Sequence, residues 1–210
     1  MDWERALAVL ISSDQKRKEE SAILQILGVD EMPAEVREEM RDYLLGITYM
    51  KGGQFNDAII KYLSAIERNK ENPVYYADLA FCYLKQQDLP RAREAALQSL
   101  RLREDYALAH IILGILDQDS GDTSAAITHL EDALRIEPED LMANFHLAMA
   151  YRASGDAARE AFYSARYLRI NLNPDSALGE FNRAKGLAAE NSPLYFRILE
   201  EIEEIKREGL

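Results

Sequence analysis

Apolar residues recur along this chain at the spacing of amphipathic helices. Near the amino terminus they fall at i, i+3, i+4, i+7 and i+8, which places them on one stripe of a helix. A similar spacing runs through residues 193–207, where an acidic stretch suits a solvent-facing side. The first stripe consists of Trp3, Ala6, Leu7, Leu10 and Ile11, and the acidic residues near the end are Glu200, Glu201, Glu203 and Glu204.

Between these ends the pattern repeats every 34 residues, the spacing of helical-hairpin arrays. The segments 73–106 and 107–140 align without a gap. Small residues occupy the eighth and twentieth places, where two helices pack closely. Gly121 and Asp122 supply a turn, since Gly tolerates positive φ and Asp caps the helix that follows. The small residues are Ala80 and Gly114 at the eighth place and Ala92 and Ala126 at the twentieth.

This pattern resembles the tetratricopeptide repeat family, whose motif places Leu-Gly at positions 7–8, Tyr at 11, Gly at 15, Ala at 20, an aromatic at 24, Ala at 27 and Pro at 32. The resemblance covers residues 39–174. In segment 141–174, Glu160 stands at position 20, and the expected Ala falls at Ala161 only if one residue has been inserted. The matches in segment 39–72 are Leu45, Gly46, Tyr49, Gly53, Ala58, Tyr62 and Ala65.

The resemblance implies an all-α fold, a right-handed α-α superhelix (a TPR solenoid) with terminal capping helices. An amino-terminal helical extension would occupy residues 1–32, the repeats residues 33–174, and a carboxy-terminal helical hairpin residues 175–210. The extension either caps the first repeat or lies in the groove of this chain or of a second copy. The four repeats are residues 39–72, 73–106, 107–140 and 141–174.

In this family, positions 2, 5, 9 and 12 of each repeat line the concave face, and here nearly all of them are apolar. A soluble monomer seldom leaves such a surface to water. We therefore expect a groove that binds an apolar or amphipathic segment of a partner protein, unless neighbouring first helices or residues 1–28 already cover it. The predicted groove consists of Met40, Tyr43, Ile47, Met50, Val74, Phe81, Leu84, Leu108, Ile111, Ile115, Met142, Phe145, His146, Met149 and Arg152.

The resemblance does not extend to the carboxylate clamp of chaperone-binding repeats. That clamp uses Lys, Asn and Arg at positions 2, 5, 6 and 9, whereas these positions are apolar here apart from Asp78 and His146. The terminal carboxylate of a partner peptide would therefore find no basic counterpart there.

Charge and composition narrow the class of partner further. The 210 residues carry 25 basic and 37 acidic side chains, a formal charge of −12, which opposes binding to nucleic acid or anionic lipid. No apolar run approaches the roughly 20 residues that span a bilayer, and the first residues lack the order of a signal peptide. We expect a cytoplasmic protein, or a periplasmic one if a signal peptide has been removed.

We expect no catalytic activity, no cofactor and no metal. His110, His129 and His146 lie on three different predicted helices, none with a His or Cys companion four residues away, as a metal site on one helix would have. Cys82 is the one cysteine, and its place inside an apolar helix indicates a buried small side chain without an activating base.

The sequence thus predicts a scaffold or adaptor whose partner is another protein or peptide. Two alternatives remain open. One is a chaperone similar to those of bacterial secretion systems, which shields an export substrate. The other is a structural module that assembles with a second copy of itself through residues 1–28 or the acidic carboxy-terminal helix.

Overall fold

The computed structural model describes the backbone of residues 16–207 and the side chains of residues 20–207 other than 30, 34 and 35. The helix predicted for residues 3–11 lies outside the described residues. The described part forms α-helices and a short 3-10 helix at Val29–Glu31, and contains no strand. The helices are α1 (Lys16–Ile26), α2 (Ala34–Lys51), α3 (Phe55–Arg68), α4 (Pro73–Lys85), α5 (Leu89–Leu102), α6 (Ala107–Ser120), α7 (Thr123–Ile136), α8 (Leu141–Ser154), α9 (Ala157–Ile170), α10 (Pro174–Leu187) and α11 (Pro193–Arg207).

The period of the sequence reappears in the starts of the helices. Helices α4, α6 and α8 begin at residues 73, 107 and 141, and α3, α5, α7 and α9 begin at 55, 89, 123 and 157. Gly121 has a φ of 83°, as its predicted place in a turn requires. Most of these starts are fixed by an Asp or Asn side chain that accepts a hydrogen bond from a backbone N–H of the first helical turn. The capping residues are Asn72, Asp88, Asp122, Asp140, Asp156 and Asn173.

The chain divides into two compact units, residues 1–112 and residues 113–210, and the boundary falls within α6. In the first unit, α2 packs against α3, α3 against α4, and α4 against α5. Glu20 of α1 accepts a hydrogen bond from Tyr49 at 3.0 Å and pairs with Lys61 at 3.0 Å. These contacts attach α1 to both α2 and α3.

In the second unit, α7 to α11 pack each against the next. Gly114, in the part of α6 that belongs to this unit, shows why the eighth position is small: an added Cβ would lie 2.6 Å from Leu130 Cγ. One apolar core continues from α7 to α11 and includes Phe162, Phe181 and Ile198, which are fully buried. This core holds α8, α9 and α10 at fixed positions around the site described below.

The last helix departs from the sequence prediction at one acidic residue. Glu201, expected on the outer face, instead lies 3.1 Å from Arg166 and 2.6 Å from Arg169, and 14% of its side chain is exposed. Burial raises its pKa, although the two guanidinium groups oppose that effect. Glu200 and Glu203 are exposed, as predicted. The difference follows from the helical period, which turns Glu201 towards α9 while its neighbours face water.

None of the described helices has the length and apolar character that a transmembrane span requires.

Candidate functional site

The predicted groove positions of the first unit are buried or half-buried. Leu84 and Ile111 are buried, with 7% and 1% of their surface exposed. Both residues therefore belong to the core rather than to an open groove. The remaining seven are half-buried, and they are Met40, Tyr43, Ile47, Met50, Val74, Phe81 and Leu108.

Aromatic rings and hydroxyl groups close this face of the first unit. The ring of Tyr43 lies 4.7 Å from that of Tyr75, measured between centroids. Tyr75 donates a hydrogen bond of 2.6 Å to Glu39, and Tyr43 hydrogen-bonds to Asp78. The hydroxyl groups of Tyr43 and Tyr75 are thus paired with acidic side chains, as buried polar groups generally are.

Asp78 is buried without a cationic partner among the described residues. Burial raises its pKa to about 7, against the effect of the hydrogen bond from Tyr43. Burial likewise raises the pKa of the Cys82 thiol to about 12, and Asp78 adds to that shift. Cys82 is therefore a buried thiol rather than a nucleophile.

The second unit leaves its inward positions more open. Phe145 and Met149 are 42% and 44% exposed, and Arg152 is exposed as well. Met142 is half-buried, and Ile115 is buried with 9% exposed, so Ile115 belongs to the core rather than to an open surface.

His146 is half-buried and held by the end of α6. Its Nδ1 lies 2.9 Å from Gln118 Oε1, and Gln118 Nε2 donates to the carbonyl oxygen of His146 at 2.8 Å. These two contacts fix the imidazole beside Phe145, whose ring centroid is 5.2 Å from it. His146 therefore supports the wall of the site.

Phe145 and Met149 stand at the mouth of a pocket of about 420 Å³ between α8, α9 and α10. The Phe145 ring lies 5.3 Å from that of Tyr167, between centroids. We call this cavity the Phe145 pocket. Its apolar wall consists of Phe145, Ala148, Met149, Tyr167 and Leu168, and its polar wall of Arg152, Glu160, Ser164, Glu180 and Arg183.

The polar wall is organised around the carboxylate of Glu160, which is 6% exposed. Its Oε1 accepts from Arg152 at 2.8 Å and its Oε2 from Arg183 at 2.5 Å. Arg183 also donates to Glu180 at 2.7 Å. Burial alone would raise the pKa of Glu160, but the hydrogen bonds from both arginines outweigh it and hold the pKa below its usual value. Glu160 therefore stays ionised.

Glu160 stands where the repeat pattern expects a small residue. Helix α9 begins 34 residues after α7, at 157 against 123, so no residue has been inserted and Glu160 occupies the twentieth position. The alanines at that position in the other segments are fully buried. A longer, charged side chain at the same place reaches between α8 and α10 and takes their arginines as partners. The equivalent alanines are Ala58, Ala92 and Ala126.

Three of the predicted groove residues line this pocket, Phe145, Met149 and Arg152, and His146 lies beside Phe145. Tyr167, Glu160 and Arg183 also line it and were not predicted from the sequence. A signal for Arg183 was present. Extending the period past residue 174 places Arg183 ninth in its segment, the position of Phe81, Ile115 and Met149 in the earlier ones. Tyr167 lies on a second helix, outside the positions that the family pattern assigns to the concave face.

Comparison with known proteins agrees with the repeat pattern and the helical fold. Two models of the tetratricopeptide repeat match the chain, over residues 61–94 and 113–177. The chain is 27% identical to stress-induced-phosphoprotein 1 of Caenorhabditis elegans over 95 residues, which are 45% of this chain and 30% of that protein. The chain therefore spans under a third of the length of this relative.

Solved structures share the fold. The crystal structure of MamA protein covers 92% of this chain and 84% of its own, with a TM-score of 0.56 and 20% identity. The first TPR of Spaghetti (RPAP3) bound to the HSP90 peptide SRMEEVD covers 57% of this chain and 94% of its own, with a TM-score of 0.53 and 21% identity. The predicted all-α tetratricopeptide fold is confirmed.

Proposed function

We propose, from the premise that this chain belongs to the tetratricopeptide repeat family, that it is an adaptor which holds an apolar or amphipathic helical segment of another protein. Interaction with other proteins is the role that its relatives support. The Phe145 pocket is the part of the described chain best suited to the contact. We expect no catalysis there, because Glu160 is held ionised between two arginines rather than poised near neutral pH.

The observation that carries the proposal is the exposure of two large apolar side chains, Phe145 and Met149, at the mouth of a preformed cavity. Binding sites are typically concave and apolar with a few fixed polar groups, which is the composition of this pocket. Burying a fully exposed side chain of this size contributes about 1.5–3 kcal/mol, so a fully exposed Leu or Phe of the partner that enters the cavity would contribute that amount. Phe145 and Met149 are already more than half buried, so covering what remains of each contributes less than half of it. Met adapts its shape to the partner.

The proposed contact surface is narrower than the one predicted from the sequence. In the first unit the inward residues are buried or half-buried, so they have little area left to offer a partner. A structure of one tetratricopeptide domain with a bound peptide shows that this fold can hold a short segment of another protein. That the segment bound by this chain is apolar or amphipathic is itself part of the proposal.

Photo-crosslinking at single positions tests the proposal. Met149→p-benzoylphenylalanine places the reactive group at the pocket mouth, and Leu187→p-benzoylphenylalanine places it on α10 at a side chain that is 50% exposed and outside the pocket lining. On irradiation in the native host, we expect a discrete adduct from position 149 alone. Phe145→Asp should abolish that adduct and Leu187→Asp should not. Equal adducts at both positions, or an adduct that survives Phe145→Asp, would refute the proposed site.

Self-association is a second candidate, favoured by exposed apolar groups on the last hairpin. Leu187 and Phe196 are 50% and 51% exposed on α10 and α11. Exposed apolar side chains of this size suit contact with a second copy. Light scattering of the wild type and of Phe196→Glu at several concentrations decides the matter: a dimer in the wild type alone supports it, and a monomer in both excludes it.

A further inference from the structure

We infer that the Phe145 pocket recognises a large apolar side chain that has a side-chain carboxylate close by in the partner sequence, as in a Leu or Phe beside Glu. This inference rests on the proposed function and names the chemistry of the segment bound. The apolar side chain would enter between Phe145, Met149 and Tyr167, and the carboxylate would lie against Arg152. Four observations support it.

The first observation is the surplus of hydrogen-bond donors on Arg152. A guanidinium group has five N–H donors, and the described residues supply Arg152 with one acceptor, Glu160. The Arg152 side chain is 71% exposed, so its remaining donors face water at the rim of the pocket. A carboxylate is the group whose geometry matches two of these donors at once.

The second observation is that Glu160 has no free edge for a cation. Both of its oxygens accept from arginine, Oε1 at 2.8 Å and Oε2 at 2.5 Å, and the side chain is 8% exposed. Ser164 also approaches Oε1 at 3.4 Å. A lysine or arginine from a partner would have to displace an arginine that is already in place. An acidic side chain meets no such competition at Arg152.

The third observation is that the arginines are held in place before binding. Glu160 fixes one nitrogen of Arg152, and Glu160 with Glu180 fixes two nitrogens of Arg183. Long side chains lose conformational freedom when they bind, and a group that is already ordered loses less. The Glu160 carboxylate thus orients the arginines at the polar wall of the pocket.

The fourth observation is the contrast with the charge of the whole chain. At a formal charge of −12, the protein repels an acidic segment at most of its surface. A carboxylate that does bind must therefore be placed beside a local cation, and Arg152 lies at the rim of the Phe145 pocket, where aromatic and thioether groups are exposed. The apolar anchor and the acid must therefore be close together in the partner.

Fluorescence anisotropy with synthetic peptides tests this inference on the full-length protein. Each peptide carries an amino-terminal fluorescein and a carboxy-terminal amide, so no terminal carboxylate is present. The central residues are Leu-Phe-Glu-Glu, Leu-Phe-Gln-Gln, Leu-Phe-Lys-Lys or Gly-Ser-Glu-Glu between Gly-Ser flanks, and each is also made in reverse order. We expect the Glu peptide with its apolar pair to bind about tenfold more tightly than the Gln peptide, from the added strength of a charged hydrogen bond.

A matched pair of variants assigns the effect to one side chain. Arg152→Ala should weaken the Leu-Phe-Glu-Glu peptide to the level of the Gln peptide and leave the Gln peptide unchanged. Arg135→Ala removes an arginine that is 73% exposed and paired with Asp132 on α7, and it should leave both affinities unchanged. Circular dichroism of both variants confirms that the fold is retained.

Three outcomes would overturn the inference. Equal binding of the Glu and Gln peptides, or tighter binding of the Lys peptide, removes the acidic preference but leaves the docking site standing. Equal effects of Arg152→Ala and Arg135→Ala show a general charge effect rather than recognition. If no peptide binds, this inference fails, and crosslinking at position 149 still decides separately whether the pocket docks a partner.

Discussion

The inward face of the first unit and the Phe145 pocket of the second both use the inward positions 5, 9 and 12 of the repeat pattern. The first face is nevertheless closed and the second is open. In the first unit, Ile111 and Leu84 are 1% and 7% exposed. In the second, Phe145 and Met149 are 42% and 44% exposed. A place in the repeat pattern therefore does not by itself decide whether a side chain is available to a partner.

The two faces also differ in their aromatic and polar contacts. In the first unit, Tyr43 and Tyr75 pack ring against ring, and Tyr75 donates a hydrogen bond to Glu39. In the second, Glu160 at the twentieth position draws Arg152 and Arg183 together and leaves a cavity beside their apolar neighbours. A single departure from the small-residue rule thus coincides with the site.

The strongest way to separate the two faces is to shorten an inward side chain in each. Ile111→Ala removes a fully buried side chain and should lower the free energy of unfolding by about 2–5 kcal/mol. Met149→Ala removes a side chain that is 44% exposed and should lower it by less than about 1 kcal/mol. Urea denaturation followed by circular dichroism gives both values. Similar losses from the two variants would mean that the faces do not differ in packing.

The buried carboxyl of the first unit gives the next largest effect. The folded pKa of Asp78, about 7, lies above the unfolded value of 3.8, so the folded state binds the extra proton and stability falls as the pH rises between these values. Between low pH and pH 8 this ionisation lowers the free energy of unfolding by an amount of the order of 4 kcal/mol, because each pKa unit corresponds to about 1.4 kcal/mol. Asp78→Asn removes this cost of ionisation, but it buries an amide N–H donor without an acceptor, which costs about 1–3 kcal/mol.

We therefore expect Asp78→Asn to raise the free energy of unfolding by about 1–3 kcal/mol at pH 8 and to lower it at pH 3.5, below the unfolded pKa of 3.8, where the ionisation cost is absent. Thermal unfolding at the two pH values measures the change of sign. An effect of equal size and sign at both would show that Asp78 does not titrate on folding.

Much of the fold follows from the sequence because it depends on local and periodic features. The 34-residue register predicted helix starts that the structure places at 73, 107 and 141, and the Gly121 turn has the left-handed backbone that its neighbours implied. Small residues at the eighth position were correctly explained by close packing, as Gly114 against Leu130 shows. These features are set within one hairpin, where sequence spacing gives spatial neighbours directly.

The site was predicted less completely because it depends on contacts between hairpins. Glu160 departs from the family pattern, which expects Ala at its position. Its partner Arg183 lies 23 residues away, on a segment that the family motif did not cover. The covering of Ile111 and Leu84 likewise depends on side chains from other helices. Helical spacing assigns a face to each residue but does not show what packs against that face.

The carboxylate of the second unit should respond to pH in the opposite direction. The pKa of Glu160 is held below its usual value of 4.5, so it stabilises the fold above that pH and the stabilisation is lost as the pH falls. Glu160→Gln should lower the free energy of unfolding at pH 7 by about 1–2 kcal/mol, because two arginines lose a charged partner but remain partly hydrated. Urea denaturation at pH 7 and pH 3.5 measures this.

The difference between Glu160→Gln and the wild type should shrink at pH 3.5, below the usual pKa of 4.5, because the unfolded chain then binds a proton that the folded carboxylate resists. Asp78→Asn provides the contrast, since its stabilising effect grows in the other direction, towards high pH. If Glu160→Gln were as stable as the wild type at pH 7, the arginine contacts would contribute nothing to folding, and their place in the pocket would have to be explained by binding alone.

The smallest effect concerns Arg152, and it separates folding from recognition within the pocket. Its side chain is 71% exposed, and ion pairs of such side chains contribute about 0–1 kcal/mol. Arg152→Ala should therefore change the free energy of unfolding by less than about 0.5 kcal/mol, and Arg183→Ala should cost more, because Arg183 is 44% exposed and binds two carboxylates. Urea denaturation of the two variants side by side tests the order. If Arg152→Ala lowered the free energy of unfolding as much as Arg183→Ala, Arg152 would support the fold. The weaker binding of the acidic peptide by Arg152→Ala would then no longer report a direct contact.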